Sequence, residues 1–393
     1  MTTTKRELAI VGGGIGGLTA ALALQQAGFQ VRVYEQAPQL AEVGAGISLS
    51  PTAVHGLNHL GLREVLLREA YAPEDQVVRH YQNARPLSDI NRGRSLLERY
   101  GERYYLIHRA DLHDALAAAV RANDPAAILL DHRFQSLEQH DDHVQLSFSN
   151  GKRYSATVVI GADGSRSVVR EQLFGPGDPQ FTGYIAWRGL VPMEKVPAGI
   201  LKPPSGIFVG PRHLVNRYPV RRGTQLNFVA FAERTAWTEE GWSIHSTVQE
   251  LLDEFAGWHE YVLTFMRETP PELLFKWGLF DREPLEQWTR ERVTLLGDAA
   301  HPVLPFLGHG AVMAIEDGVV LARALAESAR LEDGLQRYEN ARRERTTFIV
   351  LQSREAGKHF HHADPDSYGE RSQGKPADER LGLFDYNPVT API

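Results

Sequence analysis

Leu8-Ala9-Ile10-Val11-Gly12-Gly13-Gly14-Ile15-Gly16-Gly17 is the stretch that decides the fold. Four apolar residues have the length of a buried strand, and they run directly into glycines. Beyond the glycines the chain keeps helical character to about Ala27, and Gln30-Val31-Arg32-Val33-Tyr34-Glu35 returns as a second strand. Strand, turn, helix and strand within ~30 residues make a βαβ unit. Inside it, Gly12 permits a tight turn, Gly14 lets the backbone approach a pyrophosphate, and Gly17 allows the helix to pack close to the strand. The helix N-terminus, opening at Ile15, then faces the anion. Glu35 ends the second strand about 20 residues on, where a carboxylate accepts hydrogen bonds from ribose hydroxyls. The unit reads as a dinucleotide site and not as a plain glycine turn, but it does not by itself separate NAD from FAD.

Outward from this unit, a helix is expected over Ile107–Asn123 after the corner Ile107-His108-Arg109. Antiparallel strands are expected within Leu129–Asp142 and His143–Phe148, and a buried strand over Ala156–Gly161. From Phe181 to Phe231 apolar and polar residues alternate as in a sheet. Arg292–Leu296 has strand character again, followed by long helices over Gly310–Leu331 and Leu335–Lys358. The nucleotide-binding pieces are therefore scattered, with a sheet-rich domain inserted between them. The expected class is α/β, with a Rossmann-like dinucleotide-binding domain from 1–72, 100–178 and 288–332. An α+β substrate domain would take 73–99 and 179–287, and 333–393 would form a C-terminal helix and tail.

Composition narrows the chemistry. The absence of cysteine excludes disulfides, thiolate nucleophiles and Cys-ligated metals or clusters, and fits a reducing compartment. A net charge of −7 argues against a nucleic-acid footprint. No stretch approaches the ~18 apolar residues of a membrane span, and no secretory leader opens the chain, so a cytoplasmic protein without a membrane partner is expected. His359, His361 and His362, with Asp364 nearby, sit in a polar tail and read as solvated residues, so no metal is expected. Arg221-Arg222-Gly223 reads as a turn between strands.

Two further stretches carry a resemblance. Val159-Ile160-Gly161-Ala162-Asp163-Gly164-Ser165-Arg166-Ser167 and Leu295-Leu296-Gly297-Asp298-Ala299-Ala300-His301-Pro302 strongly resemble two signatures of the aromatic hydroxylase flavoproteins, the family of 4-hydroxybenzoate, salicylate and 3-hydroxybenzoate hydroxylases. The resemblance runs from Gly12 to the helix at Glu316-Asp317. It implies FAD as cofactor, NADH or NADPH as transient co-substrate, and hydroxylation of a small aromatic acid with O2 through a flavin C4a-hydroperoxide. By the same resemblance Asp298 meets the FAD ribityl chain, Arg109 lies near the pyrophosphate, and Asp163 and Arg166 belong to the middle motif, where Asp163 equally suits a turn-stabilising role. Gly46, in Val43-Gly44-Ala45-Gly46-Ile47, lies in a loop near the flavin. Pro305, Gly308, Gly310 and Ala311 bring backbone N–H groups and a positive helix end to the flavin pyrimidine ring. The family usually has Gln where His309 stands, and the Ser48 and Pro51-Thr52 positions also depart from it.

On the substrate side, Thr182–Gly189 and His213-Leu214-Val215-Asn216-Arg217-Tyr218-Pro219 resemble the salicylate and 3-hydroxybenzoate branch, in which a His and a Tyr four residues apart commonly reach the substrate hydroxyl. Here His213 and Tyr218 are five apart, and alternation sets such residues on opposite faces of a strand unless a bulge intervenes. Each is either a substrate contact or a satisfied sheet residue, with His213 the candidate base. Tyr104, five before Arg109, is a third candidate. A phenol of pKa near ~10 needs such help to gain phenolate character at neutral pH. Three alternatives stand beside this reading: decarboxylative hydroxylation and, from other classes, a flavin-free NAD-dependent dehydrogenase and a non-catalytic flavin-binding regulator. Monomer and homodimer are both compatible with the sequence.

Overall fold

In the computed structural model, which describes residues 7–40, 45–196, 198–237, 244–362, 364–368 and 377–393, the strand Glu7–Val11 lies inside a six-stranded sheet. It pairs in parallel with Gln30–Tyr34 on one side and Val158–Gly161 on the other. Ile128–Leu129 and Val293–Leu295 continue the parallel run outward, and Thr289–Arg290 closes one edge antiparallel. Central parallel strands are covered on both faces, which is why Leu8-Ala9-Ile10-Val11 and Val158-Val159-Ile160 carry no polar side chain and are buried throughout. The helices Ile15–Gln26 and Gly310–Ala326 pack against each other beside this sheet.

The middle of the chain builds an eight-stranded sheet. Gln180–Pro192, Gln225–Glu233, His213–Val220 and Gly206–Gly210 are joined antiparallel. Gly206–Gly210 then pairs in parallel with Asp75–His80, which carries Pro86–Asn91 along its far side. One face of this sheet is covered by the helices Val248–Glu254 and Glu260–Arg267, through Trp187, Phe208, Phe228, Phe255 and Phe265. The opposite face turns toward the dinucleotide unit.

Three local expectations shift. Tyr105–His108 is a strand paired with Gly46–Leu49, and the helix begins only at Arg109. Leu106 and Ile107 are both buried, so the run offers an apolar residue to each face of a ribbon. Ala156–Gly161 is split at Thr157: Arg153–Ala156 belongs to a three-stranded antiparallel sheet, and only Val158–Gly161 joins the parallel one. The first C-terminal helix stops at Ala326, and the second runs from Leu331 to His362. The side chains of His359, His361 and His362 lie outside the described residues. Arg221 and Arg222 both take positive φ in a short turn, as a strand connection requires.

Candidate active site

The chain leaves the strand Glu7–Val11 through Gly12 at φ 107°, a conformation that a side chain would strain. Gly17 packs directly beneath it. Glu35 ties the turn to the second strand: its Oε2 accepts from the Gly13 N–H at 2.7 Å and its Oε1 from the Ala37 N–H at 2.9 Å. Each oxygen retains a lone pair for a ribose hydroxyl. Gly14 and Ile15 line a cavity of about 1560 Å³ that continues without a break to the eight-stranded sheet. That volume exceeds the ~300–1,000 Å³ of a site for one small ligand. The space over Gly14 holds nothing within 4 Å of where a Cβ would stand, so a pyrophosphate fits above the helix start.

Asp298 and Arg109 line the same cavity. Asp298 is exposed to the cavity, with the packed turn Gly297–Ala299 behind it. Desolvation within the cavity pushes its carboxyl above the usual carboxylate range, against the pull of His301, Arg109 and Arg170. The turn that presents it is held from behind. Asp317 accepts from the Gly297 N–H at 3.1 Å, from His301 Nε2 at 2.6 Å and from Arg342 Nε at 2.7 Å. Glu316 takes the other end of Arg342 at 2.7 Å and is also bound by Arg345. Burial alone would raise the Glu316 carboxyl, but these guanidinium groups hold it far below its ordinary range.

Asp163 lines the cavity, yet its oxygens face its own chain. They accept from Ser167 Oγ at 2.5 Å, the Val168 N–H at 2.8 Å and the Val169 N–H at 3.1 Å, which starts the helix Val168–Phe174. It shapes the wall, in line with the turn-stabilising alternative. Pro305, Gly308, Gly310 and Ala311 line the cavity beside Gly46, and the helix Gly310–Ala326 begins without a side-chain cap. Its free N–H groups and dipole suit a negatively charged ring edge. His309 turns inward: it is 2% exposed, its Nδ1 meets the Leu307 carbonyl at 2.7 Å, and burial holds its imidazole neutral.

At the far end the strand His213–Val220 divides the candidates by parity. Leu214, Asn216 and Tyr218 line the cavity, while Val215 packs into the helical face of the sheet. His213 goes with Val215. Its Nε2 meets Glu254 at 2.6 Å, and its ring lies against Phe255 and Trp258. The candidate base is thus on the wrong side of the sheet, because no bulge interrupts this strand to bring residues five apart onto one face. Tyr218 and Tyr104 do meet in the cavity, and burial pushes both hydroxyls above the usual phenol range. Both are therefore donors at neutral pH.

The sequence had assigned no role to Arg92, Asn227 or Ser48. Asn227 Oδ1 accepts from the Gly46 N–H at 2.8 Å, and Ser48 Oγ donates to the Gly308 carbonyl at 3.2 Å. Gly46 has to be a glycine, since a Cβ there would strike the Tyr218 ring. Parity with Tyr218 along one strand reaches Leu214 and Asn216, and none of Arg92, Asn227 or Ser48.

Residues 5–353 match the protein family described as FAD binding domain. The chain is similar to a 3-amino-4-hydroxybenzoate 2-monooxygenase of Streptomyces platensis, at 38% identity over 100% of this chain and 98% of the relative. It is also similar to the 6-hydroxynicotinate 3-monooxygenase of Pseudomonas fluorescens, at 35% identity over 87% of this chain and 89% of that one. Among solved structures, HpxO of Klebsiella pneumoniae complexed with FAD and uric acid superposes with a TM-score of 0.87 at 27% identity, covering 98% of this chain and 97% of that one.

Proposed function

The chain belongs to the FAD-binding-domain family and is an FAD-dependent aromatic-ring monooxygenase, and on that premise we propose that it hydroxylates a small phenolic or hydroxypyridine carboxylic acid beside Tyr104 and Tyr218. Bound FAD would supply the redox chemistry, a monooxygenation at the expense of NADH or NADPH in which one atom of O2 enters the ring and the other leaves as water. The observation that carries the reading is the continuity of the cavity, which joins the phosphate loop to an apolar pocket bearing two buried phenols. The flavin-free dehydrogenase reading is not favoured.

In this reading the pieces 1–72, 100–178 and 288–332 hold FAD, while 73–99 and 179–287 hold the substrate. Gly12, Gly14, Ile15 and Gly17 cradle the pyrophosphate, with Arg109 nearby. Glu35 takes the ribose and Asp298 the ribityl hydroxyls, and Gly46 with the stretch Pro305–Ala311 frames the flavin ring. Val78, Ile90, Ile207, Leu214, Val229 and Phe231 form an apolar wall that excludes water from the reacting ring. Tyr218 and Tyr104 donate hydrogen bonds to the substrate hydroxyl. As neutral phenols they do not take its proton; they stabilise the phenolate and so make the ring more nucleophilic. We place the reaction in the cytoplasm, where reduced nicotinamide is supplied.

The test is NAD(P)H and O2 consumption by the FAD-loaded protein across hydroxybenzoates and hydroxypyridine carboxylates, with product analysis. The expected outcome is reductant loss matched by a hydroxylated product. Release of CO2 in the same assay would mark the decarboxylative variant of the chemistry. Peroxide as the sole product with every acid would count against this substrate class.

A further inference from the structure

Arg92 has no part in the mechanism above, yet it stands in the cavity wall and is 6% exposed. Its Nε donates to Gln76 Oε1 at 3.1 Å and its Nη2 to Asp378 Oδ2 at 2.8 Å. The guanidinium carbon lies 4.6 Å from the centroid of the Tyr104 ring and 5.6 Å from that of Phe384. These contacts satisfy two of the three nitrogens. Nη1 is buried without a hydrogen-bond partner among the described residues. A buried charged donor left unmet is costly, and such groups persist where something outside the fold meets them.

Gln76, Tyr104 and Asp378 line the same cavity, so the unmet nitrogen belongs to a guanidinium already fixed at its wall. Asp378 offsets one unit of charge but engages only one nitrogen, and an arginine fork can serve a second carboxylate. Arg380 and Arg188 also line the cavity. Arg380 is exposed, and Arg188 is half-buried over the Phe275 and Trp277 rings. Neither is enclosed as Arg92 is.

We propose that Arg92 is the anchor for the substrate's carboxylate, with Nη1 meeting a carboxylate oxygen while Gln76 and Asp378 hold the guanidinium against Tyr104. The inference rests on the chain acting on aromatic acids. It gives the segment 377–393, which the sequence offered only as a polar tail, a part in the substrate site through Asp378. A carboxylate held at Arg92, beside a phenol that meets the ring hydroxyl, fixes two points of the substrate and so selects which ring carbon faces the flavin.

The experiment titrates FAD-loaded protein with acid and carboxamide pairs, 4-hydroxybenzoate with 4-hydroxybenzamide and 3-amino-4-hydroxybenzoate with its amide, following the flavin absorbance change. Turnover is measured in parallel. Wild type should bind at least one acid about tenfold or more tighter than its amide. Arg92→Met should weaken that acid by about 10- to 100-fold while moving the amide less than about threefold, at full FAD content. Arg92→Lys, a point charge without the fork, should recover part of the loss and covers the case in which the Met variant does not fold. Equal shifts for acid and amide, or a wild type indifferent to the carboxylate, would overturn the anchor. Acids that bind through Arg92 but are never hydroxylated would sink the activity reading and leave the anchor standing. Hydroxylation of acids unchanged in Arg92→Met would do the reverse.

Discussion

The two ends of the cavity are built from different material. At the phosphate loop the working parts are backbone N–H groups, a helix end and the lack of side chains at Gly12 and Gly14, with Glu35 fastening the turn. At the proposed substrate end the cavity is lined instead by side chains from well-separated segments: Arg92, Tyr104, Tyr218 and Asp378, all buried, with Asn216 half-buried between them. A main chain can recognise little beyond an anion or a hydroxyl, and any added Cβ spoils it. Side chains can be exchanged one at a time without moving the sheet beneath them. On the proposed reading, the first end ties the cofactor to the fold and the second leaves the substrate free to vary.

The sharpest way to break this contrast is at Asp317. If the backbone-built end leans on the buried ion network behind it, Asp317→Ala should destabilise the protein by about 3–5 kcal/mol, because Arg342 loses one carboxylate and the Gly297 N–H its acceptor. Chemical denaturation of the FAD-loaded protein measures it, and a loss under ~1 kcal/mol would show that the turn stands alone. The seam between the ends comes next. Gly46→Ala drives a methyl into the Tyr218 ring, so hydroxylation should fall by at least about 100-fold and the flavin spectrum should shift.

Within the substrate end, Tyr218→Phe keeps the ring and removes the donor. It should lower kcat/KM for hydroxylation by about 10- to 100-fold at unchanged FAD content, and an unaltered kcat/KM would remove that hydroxyl from the chemistry. The smallest effect on turnover belongs to His213. On the helical face of the sheet, His213→Ala should leave hydroxylation within about threefold of wild type, because nothing it touches lines the cavity. Its partner Glu254 titrates visibly instead. Burial would raise that carboxyl, but hydrogen bonds from His213 and Arg234 outweigh it and bring it down to about 2. A depressed carboxyl contributes stability above its unfolded pKa near ~4.3 and loses it as the pH falls toward 2. Wild type should thus lose about 3 kcal/mol over that window, and Glu254→Gln should flatten the slope.

What the sequence made legible follows the same division. The phosphate loop is a local feature, since turn, anion site and helix start lie within ten residues, so spacing alone locates it. Asp298 was found only because it sits in a contiguous motif. Arg92 and Asp378 lie 286 residues apart along the chain and carry no local pattern, so no window of sequence joins them. His213 and Tyr218 show what lay in between. Their odd separation already set them on opposite faces, and the structure shows which of the two faces holds the cavity.

Gly46 touches both worlds: its N–H is held by Asn227 of the substrate sheet, and the Tyr218 ring rests where its side chain would be. The proposed flavin loop is therefore seated on the strands proposed to meet the substrate. On the proposed reading a ligand that presses on Tyr218 is expected to change the free energy of FAD binding, and by thermodynamic reciprocity FAD then changes that ligand's affinity by the same factor. Flavin retention, followed during simple dialysis, then becomes a way to sort candidate substrates before any of them is turned over.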